Sequence, residues 1–524
     1  MALTKPKAAL ILVGMFAFSA LMFPFGFYGL GIFTFLATFI VALILASRLK
    51  KIADKGRLSE HGTADWATID EFMKVNKNGT EEKGLWIGGG VFRNKSGHLI
   101  TFAPSGSGKG TSLIIPALLT VPSGSIVVTD PKGENACITA KAQAIGHQQR
   151  VFILDPWNEQ EKLQASHGIP PSGFNPFDFL RSSGDEMADS CDMISYYLIP
   201  ANESSDPYWN DKARSVIKLM LLHILTALPK EEQSFWTLYK FLRLDDTEFA
   251  RLLANMKRNK AFDGMIEAGA NDLKSLAMSE KTFASVMSNA QNATRIFESP
   301  QLRKSLEKSE FNPFDLANGK STVYVVIPER YMTSHAAWLR IVIGLCLKAV
   351  NSRPNKRVTF ILDEFAVLGK MSDVQNAYAY GRGQNIVMWT FMQSIAQLKE
   401  IYGPDGMNSF INNSSVLHAF NLRDTFSLEY ISKMLGVSTI MKERDTAPRL
   451  LMTPDEVASC DRIIAIAENK KYQMMKRHYY QPWWKAYSEN EIDTSDRKAI
   501  KSGKLKDEWY EYFQEVADPA PRVH

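Results

Sequence analysis

Short apolar runs punctuate the chain after residue 55: "HLITFA" at 98–103, "SIVVTD" at 125–130, "RVFILD" at 150–155 and "STVYVVI" at 321–327. "RVTFILD" at 357–363, "NIVMWTF" at 385–391, "VLHAFN" at 416–421 and "RIIAIA" at 462–467 follow. Their apolar residues are continuous, not alternating, which marks strands covered on both faces of a parallel or mixed sheet. Helical periodicity fills most of the intervals, so the pattern predicts an α/β, doubly wound core. From about 180 to 311 the strand pattern stops. Val216, Leu219, Met220, Leu222 and Ile224 recur there at helical spacing, behind Asp206 as N-cap and Pro207 at the first helical position. "TLYKFLRL", "EFARLLANM" and "EKTFASVMSNA" continue the pattern. It predicts an all-α insertion over 181–311, or else the covering helices of one large domain.

The N-terminus has a different pattern. From Ala8 to Ser47 there is no Asp, Glu, Lys, Arg or His. As one helix that stretch would reach ~60 Å, twice the ~30 Å of a bilayer core. Pro24 and the glycines of "FPFGFYGLG" at 23–31 break it. The reading is a transmembrane helical hairpin within 1–50, with helices over about 8–23 and 30–47. Lys5 and Lys7 on one flank and Arg48, Lys50, Lys51 and Lys55 on the other put both ends on the cytoplasmic side, by the positive-inside bias. A cleaved signal peptide is the competing reading, against which stands the second apolar run.

Composition adds little. The 524 residues, 45% apolar and 22% charged, describe a folded chain of more than one domain. A net charge of +5 permits anionic partners without announcing them. The four cysteines are far apart and form no CxxC, which suits free thiols better than disulfides or zinc.

Candidate chemistry begins at "APSGSGKGTSL", residues 103–113. It follows a predicted strand and opens a predicted helix, the context that makes a phosphate-gripping loop credible. Pro104, Ser105, Gly106, Ser107, Gly108, Lys109, Gly110 and Thr111 would cradle phosphates with backbone N–H groups, and Lys109 would supply the point charge. Ala103 replaces the usual first glycine, and Gly110 replaces the hydroxyl that ordinarily helps hold magnesium. Thr111, one residue on, is the candidate to reach phosphate or metal instead. A second motif, "VTFILDEFAVLG" at 358–369, is an apolar strand ending in two carboxylates. There Asp363 would orient Mg2+ and Glu364 would polarise water as general base. Gln393 ends the strand after it, beside the expected γ-phosphate. Arg382 in "YGRGQN" is either an arginine finger toward a neighbouring subunit or a solvated surface arginine.

These motifs, together with "VVTDPKGEN" (127–135), "FNPFDFL" (174–180), "DPYWNDKAR" (206–214), "YISKMLG" (430–436) and "RLLMTPDEV" (449–457), resemble the coupling ATPases of type IV secretion and conjugation, the TraG/TraD-like coupling proteins. The GKG loop ending is a form seen in that family. The resemblance implies a membrane-anchored RecA-like P-loop NTPase over 51–180 and 312–485, with the 181–311 insertion recruiting substrate. It implies ATP and Mg2+ as cofactors, with Lys109, Asp363, Glu364 and Gln393 in the family's roles and Arg382 less surely the finger. The implied setting is the bacterial inner membrane, with a homo-hexamer as the active state. A relaxase with single-stranded DNA, or an effector protein, would be handed to secretion-channel components. A nucleotide-dependent docking receptor without motor activity is the alternative of another class. "KKYQMMKRHYYQPWWK" at 470–485 interleaves cations and aromatics and reads as an exposed strand pair or a nucleic-acid track. Residues 486–524 form a tail without an acidic run.

Overall fold

Each of the continuous apolar runs after residue 55 becomes a strand in the computed structural model, which describes residues 62–77, 84–120, 124–165, 167–201, 207–441 and 446–479. The predicted membrane hairpin and the 486–524 tail lie outside the described residues. Among those described, no helix is long and apolar enough to cross a membrane.

By compactness the chain divides into two units. The larger spans Trp66–Leu428 and continues from Asp455. Its centre is a nine-stranded sheet in the order β13-β12-β9-β3-β8-β7-β4-β6-β5. The strands are β3 (His98–Phe102), β4 (Ser125–Asp130), β5 (Arg150–Leu154), β6 (Ser321–Val326), β7 (Val358–Leu362), β8 (Ile386–Met392), β9 (Ser414–Ala419), β12 (Ile463–Ala467) and β13 (Lys470–Met474). From β9 to β5 all neighbours are parallel, while β12 pairs antiparallel with both β9 and β13. A small antiparallel pair, β1 (Leu85–Gly88) and β2 (Val91–Arg93), stands apart from the sheet.

Every residue of β3, β4, β6, β7 and β8 is buried. That is why these strands lack alternation: helices cover both faces. On one side Leu99, Ile126, Val128, Ile361, Trp389 and Phe391 share a core with Ile114, Ala117 and Leu118 of the segment after the glycine loop. Each such side chain contributes roughly 1.5–3 kcal/mol by leaving water. Some of the polar atoms inside are matched: Trp389 Nε1 donates to Thr101 Oγ1 at 2.9 Å, and Thr101 Oγ1 meets His418 Nδ1 at 3.1 Å, while His418 Nε2 is buried with no hydrogen-bond partner among the described residues.

Between β5 and β6 the described residues hold helices and no strand, the longest being Tyr208–Ala227, Glu280–Thr294, Asp246–Arg258 and Met265–Ala277. Val216, Leu219, Met220, Leu222 and Ile224 lie on the buried side of Tyr208–Ala227. That helix starts one residue later than expected. Pro207 holds the N-cap position because its carbonyl already accepts from Asp211 N at 2.9 Å, and Asp206 is outside the described residues.

The smaller unit, within Glu429–Pro454 and the residues before 66, is built on the antiparallel ladder of β10 (Val437–Met441) and β11 (Thr446–Leu450). Gly62 lies against it, donating to Thr439 Oγ1 at 3.1 Å. A Cβ there would be 2.2 Å from Val437 O, so the approach requires glycine.

Candidate active site

Strand β8 lies between β3 and β7, with Phe102 opposite Met392 and Leu362 opposite Thr390. The loops that leave β3, β7 and β8 therefore emerge together at the carboxyl edge of the sheet, where open α/β sheets bind ligands. Lys109, Asp363, Glu364 and Gln393 all follow those strand ends.

Ala103 N donates to Met392 O at 2.8 Å, so Ala103 still belongs to the ladder and needs no glycine. Gly106 and Gly108 have φ of 76° and 92°, the left-handed side that a glycine adopts freely. Gly110 has no such backbone, and a Cβ there would meet nothing within 4 Å. Residues Gly110–Ile114 form a π-helical turn that runs into the helix Ile115–Thr120. Pro116 lacks the N–H that would bond Ser112 O, and the Trp86 indole donates to that carbonyl instead, at 3.1 Å.

Inside this frame Lys109 is 8% exposed. Its Nζ lies 3.3 Å from Asp363 Oδ1 and also pairs with Glu364 Oε1. Burial alone would lower the Lys109 ammonium, but the two carboxylates outweigh it and the net shift is upward. Burial pushes the Asp363 carboxyl up, opposed by Lys109 and reinforced by the Glu364 charge. Glu364 stands at φ 51°, a conformation few non-glycine residues adopt, with its N–H held by Asp363 Oδ1 at 3.0 Å. Thr129 of β4 donates to Asp363 O at 2.8 Å. Gln393 Nε2 donates to Glu364 Oε2 at 3.2 Å and to Ser105 Oγ at 3.5 Å, closing the circle from β8 to the loop.

The donor set fits a phosphate chain with a hard divalent cation. Ser107 Oγ is buried in the loop with no hydrogen-bond partner among the described residues. Lys109 supplies positive charge, and the adjacent carboxylates Asp363 and Glu364 suit Mg2+, which is typically bound by one or two carboxylates and substrate phosphates. Among the described residues no cluster of three or more His, Cys, Asp or Glu forms a self-sufficient metal cage. Such a cage is not what a metal shared with phosphate needs.

The chain matches the family model described as "Type IV secretory system Conjugative DNA transfer" over residues 51–508. It belongs to that family. Among its relatives, the "Probable conjugal transfer protein TraG" of Sinorhizobium fredii is 26% identical over 438 residues, covering 76% of this chain and 66% of that one. The "Type IV secretion system-coupling protein VirD4" of Bartonella quintana is 26% identical over 356 residues, covering 66% and 54%. This chain thus spans between about half and two thirds of the length of these curated relatives. Two solved structures share the fold: "Plasmid coupling protein TrwB in complex with ADP and Mg2+" at TM-score 0.60 and 15% identity, covering 79% of this chain and 93% of that one, and its complex with a non-hydrolysable GTP analogue at TM-score 0.59 and 14% identity, covering 79% and 93%.

In this family member Arg382 does not join the site. It precedes β8, and its Nε donates to Ser96 Oγ at 3.2 Å, just ahead of β3. It therefore sits at the amino edge of the strands that carry Lys109 and Gln393 at the other, about 17 Å away for a five-residue strand. Thr111 is in the loop but differently engaged than expected: its Oγ1 donates to Gly108 O at 3.2 Å and meets His478 Nδ1 at 2.7 Å. Sequence reading missed His478, Trp86 and Thr129. Thr129 lies in "VVTDPKGEN" and His478 in the 470–485 run, but neither stretch discloses the contact, since each residue reaches the site only through the folded sheet and the segments packed on it.

Proposed function

We propose that this chain is an ATPase that hydrolyses ATP with Mg2+ and couples the turnover to delivery of a substrate into a type IV secretion channel. The observation that carries the reading is the meeting of Lys109 with Asp363 and Glu364 beneath a glycine loop, from segments more than 250 residues apart. Lys109 and the loop N–H groups hold the β- and γ-phosphates, and Asp363, with Thr111, holds the metal. Bound Mg2+ neutralises phosphate charge and orients the terminal group. Glu364 accepts the proton of the attacking water, its carboxylate fixed by Lys109 and Gln393. Gln393, touching both Glu364 and the loop, changes partner when the γ-phosphate departs and so reports turnover to β8.

The rest of the reading draws on the family. The cargo is a relaxase with attached single-stranded DNA, with protein effectors as the other substrate class. The chain is anchored by the apolar residues 8–47 in the inner membrane, with the ATPase cytoplasmic, and works as a homo-hexamer. Arg382, remote from its own Lys109, acts as a finger only toward a neighbouring copy. The test is phosphate release by the full chain with Mg2+ and ATP, with and without single-stranded DNA. A motor is stimulated by the DNA. A docking receptor without motor activity binds ATP and releases no phosphate above background, and that result would sink the reading, whereas hydrolysis without DNA stimulation would favour protein effectors as the cargo.

A further inference from the structure

Beyond β13 the chain crosses back to the glycine loop. Lys476 Nζ bonds Asn421 Oδ1 and lies 5.3 Å from the centre of the Phe420 ring. Tyr479 is buried and donates its N–H to Thr111 O at 3.0 Å. Between them His478 lies over the loop itself. Its Nδ1 is 2.7 Å from Thr111 Oγ1, and its Cε1 would be 3.0 Å from a Cβ built on Gly108. Thr111 is thus gripped twice, at its hydroxyl and at its carbonyl, by residues more than 360 positions away.

The hydrogen bonds assign direction. A threonine hydroxyl has one proton and two lone pairs, and a carbonyl only accepts. Thr111 Oγ1 donates to Gly108 O, which also accepts from Ser112 N at 2.9 Å and Ser112 Oγ at 2.7 Å; with that direction the imidazole contact is Nδ1–H donating into the hydroxyl oxygen, one of the two tautomers the 2.7 Å contact allows. The chain runs from His478 Nδ1–H to Thr111 Oγ1–H to Gly108 O. A phosphate oxygen, also an acceptor, replaces Gly108 O without disturbing the first link. The 3.2 Å bond to Gly108 is the long member of the pair and the cheaper to exchange.

We propose that His478 is a positioning residue of the nucleotide site: by donating to Thr111 Oγ1 it points that hydroxyl's only proton at the nucleotide's diphosphate, and so makes the segment 475–479 a wall of the site. The proposal rests on the nucleotide reading of the loop and deepens it. Gly110 makes it consequential, because the loop has no hydroxyl at the position directly after the lysine and Thr111 is the next residue to offer one. It also implies reciprocity: if the strap favours bound nucleotide, bound nucleotide holds the strap.

The experiment measures ADP–Mg2+ affinity of the full chain in detergent, by fluorescent-analogue displacement, for wild type, His478→Ala, Thr111→Val and the double variant. Thermal melting verifies folding. The expected result is a loss of about tenfold in each single variant and no further loss in the double, since both remove one shared interaction. His478→Asn, which keeps a donor close to the Nδ1 position, should stay within about twofold of wild type. Separately, amide exchange at Tyr479 in the wild type should slow on adding ADP–Mg2+. Additive losses, unchanged affinity in His478→Ala, an Asn variant no better than Ala, or Tyr479 exchange that is unaltered or faster would each overturn the proposal. Lys109→Ala separates the two levels. If wild type binds ADP and Lys109→Ala does not, the site stands and only the strap is on trial; if wild type binds no ADP, the nucleotide reading itself has failed.

Discussion

Strands β3 and β8 run side by side and end in opposite chemistry. At their carboxyl edge one cation, Lys109, is matched by two carboxylates, Asp363 and Glu364. At their amino edge Arg93, Arg357, Arg382 and His98 gather. Burial lowers the Arg93 guanidinium to about 10, with Glu468 opposing the shift and Arg382 and Arg357 adding to it. Their hydrogen bonds include ones to neutral groups: Arg93 with Asn76 Oδ1 at 2.8 Å and Ser96 O at 3.2 Å, Arg357 with Asn94 O at 3.1 Å, Arg382 with Ser96 Oγ. Glu468, a carboxylate of this edge, pairs with Lys95 at 3.1 Å. The carboxyl edge sets one cation directly against two carboxylates, while at the amino edge the Arg382 and Arg357 charges bear on the Arg93 guanidinium. The first is the edge on which the phosphate chemistry is proposed, and the second is the edge that carries Arg382.

The largest effect that tests this contrast is Lys109→Ala. Phosphate release should fall to background, because the loop loses its only side-chain cation for the phosphates. The variant should also melt earlier, since two adjacent carboxylates are left without their counter-charge, at a cost of about 1–3 kcal/mol given their partial exposure. Retained hydrolysis would mean that the carboxyl edge has been misassigned. Arg382→Ala should behave differently: nucleotide affinity within about twofold of wild type, and turnover of assembled rings lower by about 10³-fold. An equal loss in dilute, unassembled chain would remove the distinction between the two edges.

The same contrast explains what could be read from the sequence. Lys109 follows, and Asp363–Glu364 and Gln393 end, strands whose continuous apolar runs are visible on their own, and the glycine-loop and paired-carboxylate patterns put them in one site without a structure. β2, β10, β11 and β13 escaped because none is a continuous apolar run, and β1 because its apolar run, 85–87, is shorter than any of those read as strands. β11 carries Pro448 and Arg449, and β13 reads Lys-Lys-Tyr-Gln-Met. Residues 470–485 read as an exposed strand pair or a nucleic-acid track; among the described residues they give one strand, β13, half-buried and paired with β12, and 480–485 lie outside those residues. The edge on which Arg382 lies follows from strand direction, which its own "GRG" surroundings do not disclose. His478 could not be assigned at all, because its role depends on a contact spanning 367 positions.

A smaller effect sits one strand away on the carboxyl edge. Asp130 ends β4, with Oδ2 accepting from Ala136 N at 2.8 Å. Burial raises its carboxyl to about 7, against the pull of the backbone N–H groups and helped by the Asp363 charge. A carboxyl raised this way is protonated in the fold at pH 5 and ionised at a cost by pH 8, whereas the unfolded chain ionises near 4. Native stability is therefore drained as pH rises from about 4 to about 7, by up to about 4 kcal/mol. Asp130→Asn keeps an acceptor for Ala136 and never ionises, so its melting temperature should exceed wild type at pH 8 and approach it at pH 5. A variant equally shifted at both values would show that Asp130 carries no such cost, and that charge at the carboxyl edge is confined to Lys109 and its partners.

The smallest effect tests the amino edge. His98 Nδ1 accepts from Met388 N at 3.1 Å, so its ring is neutral in the fold. Burial first, and the Arg382 charge second, hold its imidazole down to about 4. The sign is opposite to that of Asp130: below pH 6.5 the unfolded chain takes up a proton that the native ring refuses, and stability falls as pH drops from about 6.5 to about 4. At pH 5 this amounts to about 2 kcal/mol. Arg382→Gln removes the like charge but not the burial, so the loss between pH 7 and pH 5 should shrink by only a few tenths of a kcal/mol. Paired thermal melts at the two pH values measure it, with the His98 ring titration by NMR as the direct reading. A His98 midpoint that does not rise in Arg382→Gln would show that the guanidinium's field does not reach the ring, and the amino edge would then be a set of separate arginines without a shared positive potential.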